Sequence, residues 1–96
     1  MTIPETERVE RAEPLLRASA RALGAAAELL TRATDAVRAL VTRDGTIERA
    51  LLEREQHAVH GLAWLATYVE ALRQLHGWAQ RLDEIGRASC RERVWL

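Results

Sequence analysis

Residues 51–82, LLEREQHAVHGLAWLATYVEALRQLHGWAQRL, decide the fold. Apolar residues recur here at intervals of three and four, the period of a helix, and they do so along two stripes. One stripe runs through Leu51, Ala58, Leu62, Leu65, Val69, Leu72 and Ala79 and is prolonged backwards by Ile47. The other comprises Trp64, Tyr68, Ala71, Leu75, Trp78 and Leu82. A single partner helix covers only one stripe. The second, with two Trp and a Tyr, is more apolar surface than a soluble monomer leaves in water. Further polypeptide is therefore expected over it, either a second copy or chain outside this sequence.

Toward the N-terminus the partner helix is legible. Leu16, Leu23, Leu30 and Val37 lie seven apart, and Ala26, Ala33 and Leu40 follow the last three by three positions. This is an a/d seam with Ala at most d positions, which allows close approach of a second helix. Pro14 suits a first helical turn, and Glu5, Glu7, Glu10 and Glu13 favour a helix N-terminus electrostatically. Gly24 is the interior weak point, costing up to about 1 kcal/mol relative to Ala. Thr42-Arg43-Asp44-Gly45-Thr46 reads as a turn, with Thr46 as N-cap of the second helix. So short a link makes the helices antiparallel. The expected fold is all-α: an antiparallel two-helix hairpin over about 14–42 and 47–83, with any bend at Gly61. Residues 1–13 are expected as a flexible acidic N-terminus, and 14–84 as part of a larger helical domain.

Composition narrows the function classes. The 96 residues allow at most one small domain. Fourteen basic residues, all Arg, balance fourteen acidic ones, so the charge points neither to nucleic acid nor to an anionic membrane. The single Cys excludes a disulfide framework and a CxxC metal site. The start of the chain has no apolar signal-peptide region. The longest strongly apolar run, 61–69, is half of the roughly 20 residues that span a bilayer. A cytoplasmic location is expected.

The last dozen residues differ from the rest. Residues 85–94, IGRASCRERV, have no helical apolar period and contain the Cys. They resemble the translation of a standard short-read sequencing adapter, ATC GGA AGA GCG TCG TGT AGG GAA AGA GTG, position for position. Glu84 also fits, since its codon can end in the AG that precedes ATC; Trp95 and Leu96 are not explained this way. Residues 85–96 are therefore expected to be non-native and to carry no information about the native fold. Without them the charge becomes −2, from eleven basic and thirteen acidic residues, and no Cys remains. The native frame is then expected to continue beyond Glu84 into a longer protein.

The aromatic and glycine offsets in the second helix carry a family resemblance. Glu55-Gln56, His60-Gly61-Leu62-Ala63-Trp64, Ala66-Thr67-Tyr68, Glu70-Ala71-Leu72-Arg73-Gln74 and Gly77-Trp78-Ala79 resemble the N-terminal helical region of bacterial acyl-CoA dehydrogenases of the methylsuccinyl-CoA dehydrogenase type. The close resemblance spans about a third of the chain; the Ala-rich first helix matches in general character. It implies a parent flavoenzyme that binds FAD, oxidises the α,β-bond of a short acyl-CoA and passes electrons to an electron-transfer flavoprotein. In such enzymes the catalytic Glu, the FAD contacts and the CoA contacts lie downstream of this region. No catalytic or cofactor-binding residue carries over to this chain.

Other residues take structural readings. Glu53, His57 and His60 share a helix face and invite a metal reading, but the spacing lacks Glu-x-x-His and His-Glu-x-x-His, and one helix supplies too few ligands. A Glu53–His57 pair, with His60 at an interface, is expected instead, and no metal. His76 is expected at a helix interface. Glu70 stands among apolar neighbours, where burial would raise its pKa; it is read as structural. Glu48, Arg49, Glu53 and Arg54 form a solvated face. The expected packing and interface residues are Gly61, Trp64, Tyr68, Leu75, Gly77 and Trp78, with the glycines admitting a close backbone. The competing reading is a free-standing module that pairs through the Trp64/Tyr68/Trp78 face into a homodimeric four-helix bundle.

Overall fold

The heptad seam and the double stripe both become helix. In the computed structural model, which describes residues 5–94 and the side chains of residues 12–88, α1 runs Glu5–Val41, α2 Arg49–Arg54 and α3 Gln56–Val94. The all-α class holds. The boundaries differ from expectation in four places, each for a local reason.

First, α1 starts at Glu5 rather than near Pro14, so Pro14 is internal. The acidic stretch expected to be flexible is thus helical from Glu5 onward, while residues 1–4 lie outside the described residues. The helix tolerates the one N–H that Pro cannot donate. Second, the link is a miniature β-hairpin. Thr42–Arg43 (β1) and Thr46–Ile47 (β2) pair antiparallel, with Thr42 opposite Ile47 and Arg43 opposite Thr46. Asp44 and Gly45 have φ of 54° and 78°, and two positive φ values in a two-residue loop match strand twist. Thr46 is therefore a strand residue and not the N-cap. That position is Glu48, extended and without a side-chain cap, its N–H donating to the Val41 carbonyl at 2.9 Å.

Third, the second helix is interrupted at Glu55 (φ −102°, ψ 25°), not at Gly61, through which α3 passes unbroken. Glu55 N–H donates to the Leu51 carbonyl at 2.9 Å, and the Glu55 carbonyl accepts from Val59 N–H at 3.0 Å, so the break is one residue wide. Fourth, α3 continues past 83 to Val94. Arg and Ala are good helix formers, and Arg87 pairs with Asp83 one turn back at 3.0 Å. Trp95 and Leu96 lie outside the described residues.

The chain divides into two compact units: unit 1, Met1–Leu23 with Leu72–Leu96, and unit 2, Gly24–Ala71. Unit 2 holds the three buried apolar residues among those described: Val41 (3% exposed), Leu51 (8%) and Val69 (1%). Ala26, Leu30, Ala33 and Val37 of α1 are half-buried there, as are Ala58, Leu62 and Leu65 of α3. Two expected members drop out. Leu40 is 44% exposed while Val41 is buried, and Ile47 at the hairpin is 59% exposed. For Leu40 the cause is that a straight helix drifts about 20° per heptad from a strict seven-residue repeat; Ile47 leaves the helical stripe because it is a strand residue of the hairpin.

In unit 1 the helical segments also run antiparallel, since Ser19 meets His76 and Glu13 meets Arg87. Leu16 and Leu23 are half-buried, as expected of the seam, whereas Leu72 is 47% exposed. No described residue of this unit is fully buried.

Candidate functional site

Within unit 1, Leu16 and Leu23 point α1 toward α3, which leaves a shallow apolar groove on one side. It is lined by Ser19, Ala22 and Leu23 from α1 and by Leu72, Leu75 and Ala79 from α3. His76 closes one edge, with Nδ1 2.7 Å from Ser19 Oγ. Ser19 Oγ also donates to the Leu16 carbonyl at 2.9 Å. One hydroxyl has one proton, so with Leu16 as its acceptor Ser19 receives the Nδ1–H of His76. That makes the pair an interhelical tie. It does not resemble an activated nucleophile, because the serine proton is already committed and mid-helix N–H groups are engaged in the helix and cannot hold an oxyanion. The expectation for His76, an interface position, is met.

Several apolar side chains stand in water. In unit 1 Leu75, Trp78 and Leu82, at i, i+3 and i+7 on α3, are all exposed, Trp78 by 56%. In unit 2 Trp64 and Tyr68 are exposed as well, their rings 5.9 Å apart at 29°. Trp64 borders a second open groove with Val59, His60, Ala63 and Thr67. The second stripe is therefore uncovered at each of these residues.

The other singled-out residues scatter. His57 and His60 are both exposed, so His60 is not an interface residue of the described chain. The ion pair recorded at Glu53 is with Arg49, at 3.8 Å, in place of the expected one with His57. Among the described residues no group of three or more His, Cys, Asp or Glu is placed to hold a metal. A Cβ at Gly61 would meet nothing within 4 Å, and one at Gly77 would meet only Arg81 Nη1 of the same helix, at 3.4 Å. The close backbone approach expected at these two glycines is not made among the described residues. Glu70 is exposed, not buried. No helix is long and apolar enough to cross a membrane among the described residues. The Ser19–His76 tie was the feature missed from sequence. The two residues are 57 positions apart, and only the antiparallel register brings them together.

No family model matches the chain. A curated relative does: the (2S)-methylsuccinyl-CoA dehydrogenase of Cereibacter sphaeroides, 47% identical over 73 residues. These are 76% of this chain and 13% of the relative, so the chain spans about an eighth of the length of the protein it matches. Any uninterrupted span of 73 residues in a chain of 96 includes residues 24–73, so the likeness takes in the whole of unit 2. It therefore reaches well into the first helix, beyond the stretch where the family resemblance is strongest. The chain is thus related in sequence to one segment of an acyl-CoA dehydrogenase.

Proposed function

We propose that this chain is the N-terminal helical segment of a cytoplasmic, FAD-dependent acyl-CoA dehydrogenase that oxidises the α,β-bond of a short acyl-CoA such as methylsuccinyl-CoA. The segment itself is non-catalytic and serves packing or subunit contacts. One observation carries this reading: the match, 47% identical over 73 residues, takes in all of unit 2 yet covers only 13% of the relative. A segment so related and so small leaves the reaction to the rest of the enzyme.

A dinucleotide cofactor needs an enclosing cleft and backbone N–H groups at a helix N-terminus or glycine-rich loop for its pyrophosphate. The two grooves described above are open and are lined by Leu, Ala, Ser, Thr, Val, His and Trp side chains, and a third open one between Glu13, Arg17, Asp83, Glu84 and Arg87 carries acids enough to oppose a pyrophosphate. They do not fit FAD, and no step of the oxidation is assigned to a residue of this chain. FAD, the acyl-CoA and an electron-transfer flavoprotein are partners of the parent enzyme. Residues 85–96 are, on this reading, not part of that enzyme.

The source gene tests the proposal. Reading the genomic frame past the codon for Glu84 is expected to run into a flavin dehydrogenase body; a native stop codon there overturns it. A second test replaces the matched segment of the Cereibacter sphaeroides enzyme with the corresponding residues of this chain. The chimera is expected to keep bound flavin and methylsuccinyl-CoA oxidation. A soluble chimera that has lost both would count against the proposal.

A further inference from the structure

The sequence holds three aspartates, Asp35, Asp44 and Asp83, and the fold sets one of them apart. Asp35 and Asp83 lie within α1 and α3, where the backbone N–H of the next residue is engaged in the helix ladder. Their carboxylates pair with Arg38 at 3.9 Å and with Arg87 at 3.0 Å. Asp44 stands exposed in the two-residue loop, and its successor Gly45 lies outside the ladder that closes at Arg43 and Thr46. Among the described hydrogen bonds of turns and caps, none is donated by the Gly45 N–H. Gly45 has no side chain, and even a Cβ built there would meet nothing within 4 Å. Its nitrogen is therefore uncrowded and uncommitted.

We infer that Asp44-Gly45 is a site of spontaneous backbone rearrangement, in which Asp44 passes through a cyclic imide to an isoaspartyl link. The Gly45 nitrogen attacks Asp44 Cγ, and the new N–Cγ bond closes a five-membered ring. One carboxyl oxygen leaves as water, carrying the amide proton and one proton from solvent. Water then opens the ring. Breaking the N–Cγ bond restores aspartate. Breaking the bond between nitrogen and the Asp44 main-chain carbonyl carbon instead leaves Gly45 joined through Cγ, and the new α-carboxylate returns the proton to solvent. Composition is unchanged, and no oxidant or reductant is consumed.

The product adds one carbon to the main chain at the worst place for this turn. Asp44 and Gly45 hold φ of 54° and 78°, the pair of positive values that lets a two-residue loop match the strand twist. A longer backbone there breaks the register of Arg43 against Thr46, and with it the approach of Glu48 N–H to the Val41 carbonyl. Val41 is one of the buried residues of unit 2, so the change reaches that core. The reaction needs only this turn and is independent of which enzyme the segment serves.

The test ages the complete 96-residue chain for weeks in warm neutral buffer. Asp-N protease cuts before aspartate and not before isoaspartate, so intact chain gives fragments 35–43 and 44–82, and rearranged chain gives an uncut 35–82. The uncut fragment is expected to grow while the cuts before Asp35 and Asp83 stay complete. Its rate should lie within about tenfold of that in the urea-unfolded chain, a barrier difference of at most about 1.4 kcal/mol. The aged chain should melt below the fresh one, whereas Asp44→Ser, with no carboxyl to cyclise, should keep its midpoint on ageing. If that variant does not fold, Asp44→Asn serves in its place: it reaches the same ring by losing ammonia, and a gain in mass reports its conversion. No uncut fragment, equal resistance before Asp35 or Asp83, a slower folded rate than stated, an unchanged midpoint of the aged chain, or an Asp44→Asn chain that does not convert overturns the inference.

Discussion

Val69 is the most buried residue described, at 1% exposure, and shares unit 2 with the other two buried side chains, Val41 and Leu51. Val69→Ala removes two methyl groups from that small core. At about 0.8 kcal/mol per buried carbon the transfer loss is about 1.6 kcal/mol. A residual cavity adds to this, while the better helix propensity of Ala returns about 0.5 kcal/mol. The net destabilisation is about 1.5 kcal/mol, which lowers the melting temperature of a chain this size by roughly 6–12 °C. The assay is thermal unfolding followed at 222 nm, at one fixed protein concentration because association shifts the midpoint. Leu29→Ala is the control: it deletes more carbon from the same unit, but Leu29 is 55% exposed and lies outside the inward row. Its cost is expected to be well under 1 kcal/mol. If Leu29→Ala is as harmful as Val69→Ala, unit 2 is not held by an inward-facing core and the helix pairing described for it is wrong.

Other outcomes depend on particular groups. Gly45→Ala should destabilise by about 1 kcal/mol in the same assay, because φ is +78° at that position and a Cβ there is strained; no loss would argue against the two-residue hairpin. Thr42→Val should raise stability, by up to about 1 kcal/mol, because Thr42 Oγ1 is buried without a hydrogen-bond partner among the described residues and Val keeps the shape. A clear fall would mean the hydroxyl has a partner. Amide hydrogen exchange should be slower over 26–41 and 58–71, which hold the buried Val41 and Val69, than over 12–23 and 72–88, where none of the described side chains is fully buried. Equal protection would contradict that distribution.

How much of this was legible beforehand depends on the range of the interaction involved. The seam residues Leu16, Leu23, Leu30 and Val37 could be read directly, because a helix imposes its period on whatever it packs against, and all four are half-buried. Leu40 could not, because a seven-residue repeat and a 3.6-residue helix part company over three heptads. Asp44-Gly45 announced a turn, but only the flanking Thr42–Ile47 and Arg43–Thr46 pairs make it a strand hairpin and take the N-cap from Thr46. Gly61 and Gly77 suggested a close neighbour that the described residues do not supply.

The amino-acid sequence by itself determined the helices, the apolar excess on the second of them and the family likeness. Periodicity, propensity and residue identity are all properties of neighbours along the chain. Tertiary structure alone decided which apolar residues are hidden, that Ser19 ties to His76, and that the groove between Leu23 and Leu75 exists. Each of these depends on the register between antiparallel segments, as between Ser19 and His76, 57 residues apart, and no local pattern specifies a register.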